Sequence, residues 1–196
     1  IFYWQRLCVG DGFDMVPDPK DNRYGWAMGQ GGNLNYYDRI SGMLYKVQPT
    51  HPEGVPLRFN WNAGIAIDPH DDDVAYYGSQ FLHKTNDQGR TWELISPDLT
   101  TNNPDKQNIR TGGLTLDQTQ AENHTTIISI APSPVKQGVI WVGTDDGNVQ
   151  VTQDGGQSWK NTVKGMKGLP ANAWIAQIQP STYNEGEAFA TIDNHR

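Results

Sequence analysis

The apolar positions of this chain fall into short runs that occur in pairs, and a polar turn containing proline separates the two members of each pair. In one such pair, Ile65-Ala66-Ile67 leads into Asp68-Pro69, and Val74-Ala75-Tyr76-Tyr77 follows. Comparable pairs begin near residues 15, 128 and 175, so the pattern occurs four times. Short β-branched and aromatic runs bounded by Gly, Pro, Asn and Asp are typical of β-strands. We therefore predict an all-β protein built from a repeated unit.

Each unit is predicted to hold four strands, A to D, with the proline turn between A and B. In the third unit these strands are expected over 126–131, 139–144, 149–152 and 158–161. The prolines Pro19, Pro69, Pro134 and Pro180 align the four A–B turns. An additional outer strand is expected over 2–9. No long helix is predicted, and single helical turns are expected within 98–108 and 161–168.

Two eight-residue segments share one pattern of polar residues, glycine and tryptophan. They read Thr85-Asn86-Asp87-Gln88-Gly89-Arg90-Thr91-Trp92 and Thr152-Gln153-Asp154-Gly155-Gly156-Gln157-Ser158-Trp159. The carboxylate accepts from N–H groups of its own turn, the glycine permits a positive φ, and the indole buries a large ring. The pattern predicts a rigid C–D turn with a structural role for Asp87, Gly89, Trp92, Asp154, Gly156 and Trp159. Segment 37–42 is a degenerate copy without the tryptophan.

This pattern resembles the Asp box, or BNR repeat, of sialidase-like, sortilin-like and xyloglucanase-like β-propellers. Segment 92–100 also resembles large bacterial proteins described as glycosyl hydrolase or sortilin (VPS10)-like. The resemblance implies a β-propeller of four-stranded antiparallel blades, with seven blades in the parent ring. Units over about 10–60, 61–120, 121–170 and 171–196 give about three and a half blades. We therefore expect residues 1–196 to be a partial propeller that pairs with the rest of its own ring.

Composition narrows the set of partners and compartments. The net charge is −7 and no cluster of Lys and Arg is present, which disfavours nucleic acid and anionic membranes as partners. No apolar stretch is long enough to span a membrane. The one cysteine, Cys8, excludes an internal disulfide. Low cysteine content together with the Asp-box resemblance favours a bacterial protein that is secreted, periplasmic or on the cell surface.

Candidate binding residues lie on two sets of loops that share one face of such a propeller. We name the loops that precede each A strand the lead-in loops; the B–C loops lie beside them, and the Asp boxes lie on the opposite rim. Rings that stack on sugars, and amides and carboxylates that bind hydroxyl groups, make this face a candidate carbohydrate surface. The candidate substrate-binding residues are Gln30, Asn60, Trp61, Asn62, Gln80, Glu122, His124, Asp145 and Trp174.

Asp11 and Asp14 are the candidate catalytic residues, because glycoside hydrolysis uses two carboxyl groups across the scissile bond. Their segment, Gly10-Asp11-Gly12-Phe13-Asp14, resembles the Gly-Asp-x-Gly-Gly-Phe region of xyloglucanase-like glycosidases, in which the Asp is catalytic. The alternative is a tight turn in which the Asp side chains cap backbone N–H groups. A second carboxylate partner is sought in Glu122 or Asp145, or beyond this segment.

Other chemistry is disfavoured. Sialidases use an arginine cluster and a Tyr nucleophile, and Arg58 is the one arginine that clearly falls on a lead-in loop. Residues 68–73 are rich in Asp but occupy an A–B turn, where polar residues are expected; a calcium site is the alternative. We predict no resident metal and no cofactor.

Two function classes remain open. One is a glycan-active or glycan-binding propeller, with a two-carboxylate mechanism if it is an enzyme. The other is a non-catalytic, sortilin-like propeller that binds a protein or peptide, or a subunit of a surface complex. A pair of carboxylates across an open groove favours the first class, and a narrow apolar tunnel favours the second.

Overall fold

The computed structural model describes residues 6–8, 10–107 and 123–194, and these residues form antiparallel β-sheets joined by turns. Three sheets have four strands and one has two. Each four-stranded sheet is a simple meander, in which strands pair in the order of the chain. Within the described residues helical structure is limited to three short 3₁₀ turns, Gln30–Gly32, Pro104–Lys106 and Val163–Gly165. Two of these turns lie in the segments where helical turns are predicted.

The strand bounds follow the predicted units. The first sheet contains β1 Gly12–Pro17, β2 Tyr24–Gly29, β3 Asn33–Asp38 and β4 Met43–Lys46. The second contains β5 Ile65–Asp68, β6 Asp71–Gly78, β7 Leu82–Thr85 and β8 Glu93–Leu94, and the third contains β9 Ile127–Pro132, β10 Ile140–Thr144, β11 Val149–Thr152 and β12 Lys160–Asn161. The fourth contains β13 Trp174–Pro180 and β14 Ala188–Asp193. In the third sheet each observed strand agrees with its prediction to within two residues. The predicted strand over 2–9 lies mostly outside the described residues.

The hydrophobic core lies between consecutive sheets. One apolar cluster joins the first and second sheets and includes Trp26, Leu34 and Tyr77. A second cluster joins the second and third sheets, and a third joins the third and fourth. Because consecutive sheets pack face to face, the sheets stack around an axis, with β9 in contact with both β5 and β13. This is the arrangement of blades in a β-propeller, as predicted.

Three of the four A–B turns share one hydrogen-bonded geometry, which corrects the alignment of the fourth unit. In these three the residue that begins the turn donates its N–H across the turn: Asp18 to Tyr24, Ser133 to Val139, and Ser181 to Glu187. Ser181 is thus the counterpart of Ser133, and Pro180 corresponds to Pro132. The prediction that Pro180 aligns with Pro134 is wrong by two residues, because the turn is defined by its hydrogen bond and not by its proline.

No helix in the described part of the chain is both long and apolar enough to cross a membrane.

Candidate functional site

The two eight-residue segments that resemble an Asp box, which we call Asp boxes for this resemblance, have the same hydrogen-bond network. Asp87 accepts from the Thr85 hydroxyl at 2.8 Å, the Thr91 N–H at 2.9 Å and the Thr91 hydroxyl at 2.7 Å. Asp154 accepts from the corresponding groups of Thr152 and Ser158 at 2.8, 2.9 and 2.5 Å. Hydrogen bonds from Ser158 lower the pKa of Asp154 to about 2. Both carboxylates are committed to their own turns.

The tryptophan and the glycine at the fifth position of each box contact the preceding sheet. Trp92 Nε1 donates to the carbonyl of Val47 at 2.7 Å, and Trp159 Nε1 donates to the carbonyl of Ile95 at 3.0 Å. A Cβ on Gly89 would lie 2.8 Å from Val47 Cβ, and one on Gly156 would lie 2.5 Å from Ile95 O. Each box therefore closes its own turn and joins its blade to the one before it.

The polar residues of the B–C loops form hydrogen bonds with the lead-in loops of their own sheets and fix the positions of these loops. Gln30 Oε1 accepts from the Asp11 N–H at 3.1 Å, and Gln80 Oε1 accepts from the Arg58 N–H at 2.8 Å. Asp145 Oδ1 accepts from the Thr126 N–H at 2.8 Å in the third sheet. Gln80 and Asp145 have no exposed surface. These side chains support the lead-in loops that form the candidate face, and a ligand role for them stays a prediction.

Asp145 is the most heavily bonded carboxylate on this face. It accepts from the Thr126 hydroxyl at 2.8 Å and from Asn60 Nδ2 at 2.9 Å, while His124 Nδ1 lies 3.7 Å from its Oδ1. Burial raises the pKa of Asp145, and the neighbouring His124 opposes that rise. A buried carboxylate behind an imidazole orients the ring, as in acid–base pairs. The sequence predicts both residues for the site but gives no sign that they adjoin.

Asn60 connects three sheets. Its carbonyl accepts from the Gly31 N–H at 3.3 Å, and its amide donates to Asp145 in the third sheet. Its own Oδ1 accepts from the Trp61 N–H at 2.7 Å. Because Asn60 is 5% exposed, it positions the loops around it. Asn62, two residues later, buries its Oδ1 with no hydrogen-bond partner within the described part of the chain.

Asp11 and Asp14 lie where the first sheet approaches the lead-in loop of the second, and both are exposed. Phe13, between them in sequence, packs against Trp61 with ring centroids 6.4 Å apart. Asp14 retains contact with solvent, but partial burial raises its pKa. Burial and the charge of Asp14 together raise the pKa of the fully buried Tyr77. Asp14 is therefore an exposed strand residue whose carboxyl group burial shifts toward its protonated form.

His124 and Trp174 line one cavity of about 340 Å³ between the third and fourth sheets. Their rings pack edge to face, with centroids 6.3 Å apart. The other lining residues are the polar Lys106, Asn172, Asp193 and Asn194 and the small apolar Ala171 and Ala173. We refer to this space as the His124 cavity. Its volume falls in the range of about 300–1,000 Å³ that is typical of small-molecule sites.

Several residues of the His124 cavity are not among the sequence candidates. Lys106 reaches it from the long loop after β8, and Asp193 lies at the end of β14. Asn172 adopts φ +59°, an uncommon conformation for a residue other than glycine, which the pattern of residue types does not reveal. Glu122, a sequence candidate, lies outside the described residues.

The acidic A–B turn of the second sheet is held by its own hydrogen bonds. Asp68 accepts from the Tyr76 hydroxyl at 2.6 Å and from the His70 N–H at 2.9 Å, while Asp73 pairs with Lys20 at 2.6 Å. No group of three or more His, Cys, Asp or Glu side chains suited to a metal ion occurs within 6–8, 10–107 and 123–194.

Comparison with known proteins identifies the fold. No protein-family model matches the chain, and no curated protein matches it. Among solved structures, an ancestral GH74 enzyme matches 95% of this chain with a TM-score of 0.58 and 17% identity. An auxiliary nutrient binding protein from Bacteroides thetaiotaomicron matches 93% with a TM-score of 0.55 and 11% identity. The GH74 xyloglucanase of Xanthomonas campestris matches 80% with a TM-score of 0.50 and 18% identity.

This chain spans 23%, 36% and 22% of those three chains, respectively. At such identities the likeness establishes the fold alone. The chain forms part of a β-propeller of four-stranded blades.

Proposed function

We propose that this chain is part of a glycan-binding β-propeller whose ligand lies over the lead-in loops, with the His124 cavity as a binding subsite. The observation that carries the proposal is a cavity in which an indole and an imidazole meet several polar side chains. The Trp174 ring offers an apolar surface to the C–H face of a sugar, and the polar groups around it bind hydroxyls. The fold likeness to two GH74 enzymes, one of them a xyloglucanase, supports a glycan as ligand.

Glycoside hydrolysis is the activity that we propose for the exposed carboxyl groups of Asp11 and Asp14 on the same face. Asp14, with its raised pKa, suits a general acid, which must be protonated near the working pH. Asp11, three residues earlier and just before β1, is the proposed partner as base or nucleophile. Asp145 is not available for this role, because it is buried and already accepts three hydrogen bonds. A protein that acts on polysaccharides meets them outside the cytoplasm, so we propose a secreted, periplasmic or surface location in a bacterium.

The binding proposal is tested by titrating the protein with xyloglucan heptasaccharide and cellotetraose in a calorimeter. Trp174→Ala should weaken binding at least tenfold, because the stacking surface is removed. Phe189→Ala is the matched control, since Phe189 is 77% exposed on the same sheet and does not line the His124 cavity. Equal affinities for the wild type and Trp174→Ala would refute the subsite. Binding of an unstructured peptide through Trp174, with no response to sugars, would place the protein in the peptide-binding class.

The catalytic proposal is tested by measuring release of reducing ends from xyloglucan. Asp14→Asn should lower the rate by about 10²–10⁴, the usual contribution of general acid–base catalysis. Asp72→Asn, an exposed acidic residue on the opposite rim, should leave the rate unchanged. Retention of full activity in both Asp14→Asn and Asp11→Asn would remove these residues from the mechanism.

A further inference from the structure

A second cleft lies on the rim opposite the lead-in loops, where the outer strands of the first sheet meet the Asp box of the second. Its volume is about 500 Å³, and it is separate from the His124 cavity. Its principal lining residues are Tyr24, Tyr36, Asp38, Tyr45, Gln88 and Arg90. We refer to it as the tyrosine cleft. Nothing in the proposed glycan site uses these residues.

The aromatic walls of the tyrosine cleft are held in place. Tyr24 and Tyr36 stack nearly parallel, at 6° with centroids 6.1 Å apart. The Tyr36 hydroxyl donates to Asp18 at 2.8 Å, and the Arg23 guanidinium lies 5.0 Å from the Tyr24 ring centre. Tyr45 is 52% exposed and presents its ring to solvent. Two fixed rings and one exposed ring form a prepared surface for a flat, partly apolar ligand.

The charges around the tyrosine cleft are balanced. Arg23 donates to both carboxylate oxygens of Asp38, at 2.7 and 2.6 Å, so this carboxylate is already neutralised. The lining also contains the positive charge of Arg90, and the negative charge of Asp18 lies behind the wall, where its carboxylate accepts from the Tyr36 hydroxyl. A cleft without net charge favours a neutral ligand rich in hydroxyl groups over an ion.

Gln88 occupies a backbone position at which the second box has glycine. Its φ is +65°, and that of the corresponding Gly155 is +73°. A Cβ on Gly155 would meet nothing within 4 Å, so no packing requirement fixes the residue type there. Gln88 thus retains a strained backbone that glycine would relieve, and its side chain lines the tyrosine cleft. A strained φ at a position where glycine would fit indicates that the Gln88 side chain has a role other than stabilising the fold.

We propose that the tyrosine cleft is a second carbohydrate-binding site, which takes a short stretch of a neutral sugar chain. The tyrosine rings receive the C–H faces of the sugar, and the Gln88 amide and the Arg90 guanidinium bind its hydroxyl groups. The site does not depend on the His124 cavity, and it would hold a glycan on the opposite rim of the propeller.

The test follows the ring signals of ¹³C-labelled tyrosines by NMR during titration with cellotetraose and xyloglucan heptasaccharide. The background is Trp174→Ala, which separates this site from the His124 cavity. We expect saturable shifts at Tyr24, Tyr36 and Tyr45. Gln88→Gly should weaken the binding at least tenfold while leaving the melting temperature unchanged or higher, because glycine relieves the strained φ.

Tyr45→Ala is a second variant at an exposed position, and it should weaken binding to a similar extent. Tyr183→Ala, 94% exposed and outside the tyrosine cleft, is the matched control and should bind like its parent. The proposal fails if neither sugar shifts these three rings, or if Gln88→Gly and Tyr45→Ala both bind like the control. It also fails if a proline-rich peptide shifts the rings and the sugars do not.

Discussion

His83 is a titratable side chain enclosed by the second sheet. It is 1% exposed, its Nε2 lies 2.9 Å from the Ser79 hydroxyl, and its ring packs edge to face against Trp92. Burial, with a smaller effect from His51, lowers the pKa of His83 to about 4 from an ordinary value of 6.5. The folded protein therefore keeps this ring neutral at pH values where the unfolded chain protonates it.

The stability of the protein should consequently depend on His83 in mildly acidic solution. The contribution of the neutral His83 to the free energy of unfolding is fully present above about pH 6.5. Up to about 3 kcal/mol of it is lost as the pH falls toward 4. Urea unfolding of the wild type and of His83→Gln at pH 7.5 and pH 4.5 measures the effect, which should be much smaller in the variant. Asp38 does not produce the same pH dependence. The hydrogen bond from Arg23 lowers the pKa of Asp38, so this carboxylate stops stabilising the fold only when the pH falls below its unfolded pKa near 3.9. An equal loss of stability in both proteins would contradict this account.

Single residues also show where sequence reasoning stops. Gln30, Gln80 and Asp145 are polar loop residues on the expected face, which is why the sequence suggests them as ligand contacts. The structure shows that each accepts from a backbone N–H of a lead-in loop. The residue type shows that a side chain is polar. Whether that side chain faces solvent or hydrogen-bonds to the backbone depends on how deeply its loop is buried.

At the scale of the strand and the turn, sequence reasoning is more complete. The four strands of the third sheet can be located from apolar runs and turn residues, because strand pairing within a blade is local in sequence. The Asp-box turns can likewise be predicted as turns, since their hydrogen bonds stay within five residues. The contact of each box with the preceding blade cannot be predicted from the sequence of the box. The box contacts a backbone carbonyl and an apolar side chain, and such groups occur in every blade.

The two glycines of the second box provide an internal comparison of this contact. Gly155 and Gly156 both have positive φ, but only a Cβ on Gly156 would meet the preceding blade, at Ile95. Gly155→Ala should cost about 1 kcal/mol from backbone strain, and Gly156→Ala should cost about 1–3 kcal/mol more because of the steric overlap. Thermal and urea unfolding of the two variants give the difference. Equal losses would mean that the packing between blades at this point is loose.

At the scale of the whole molecule, the propeller arc and its stacked cores follow from the repeated pattern, whereas the candidate sites arise where different repeats meet. The His124 cavity draws on the third and fourth sheets and on the loop after β8. The tyrosine cleft draws on the first and second sheets. A repeat predicts its own strands because it contains them, but a space between repeats depends on side chains that lie far apart in sequence and differ from one copy to the next.

The hydrogen bonds from the box tryptophans to earlier blades have a consequence for the folding of the chain during its synthesis. Trp92 bonds to a residue 45 positions earlier, and Trp159 to one 64 positions earlier. During synthesis from the N-terminal end, each blade is complete in itself before the tryptophan that fastens it has left the ribosome. The second blade therefore attaches the first when Trp92 emerges, and the third attaches the second when Trp159 emerges. A duplicated copy of either of these two repeats would bring with it the tryptophan that attaches it to the preceding blade.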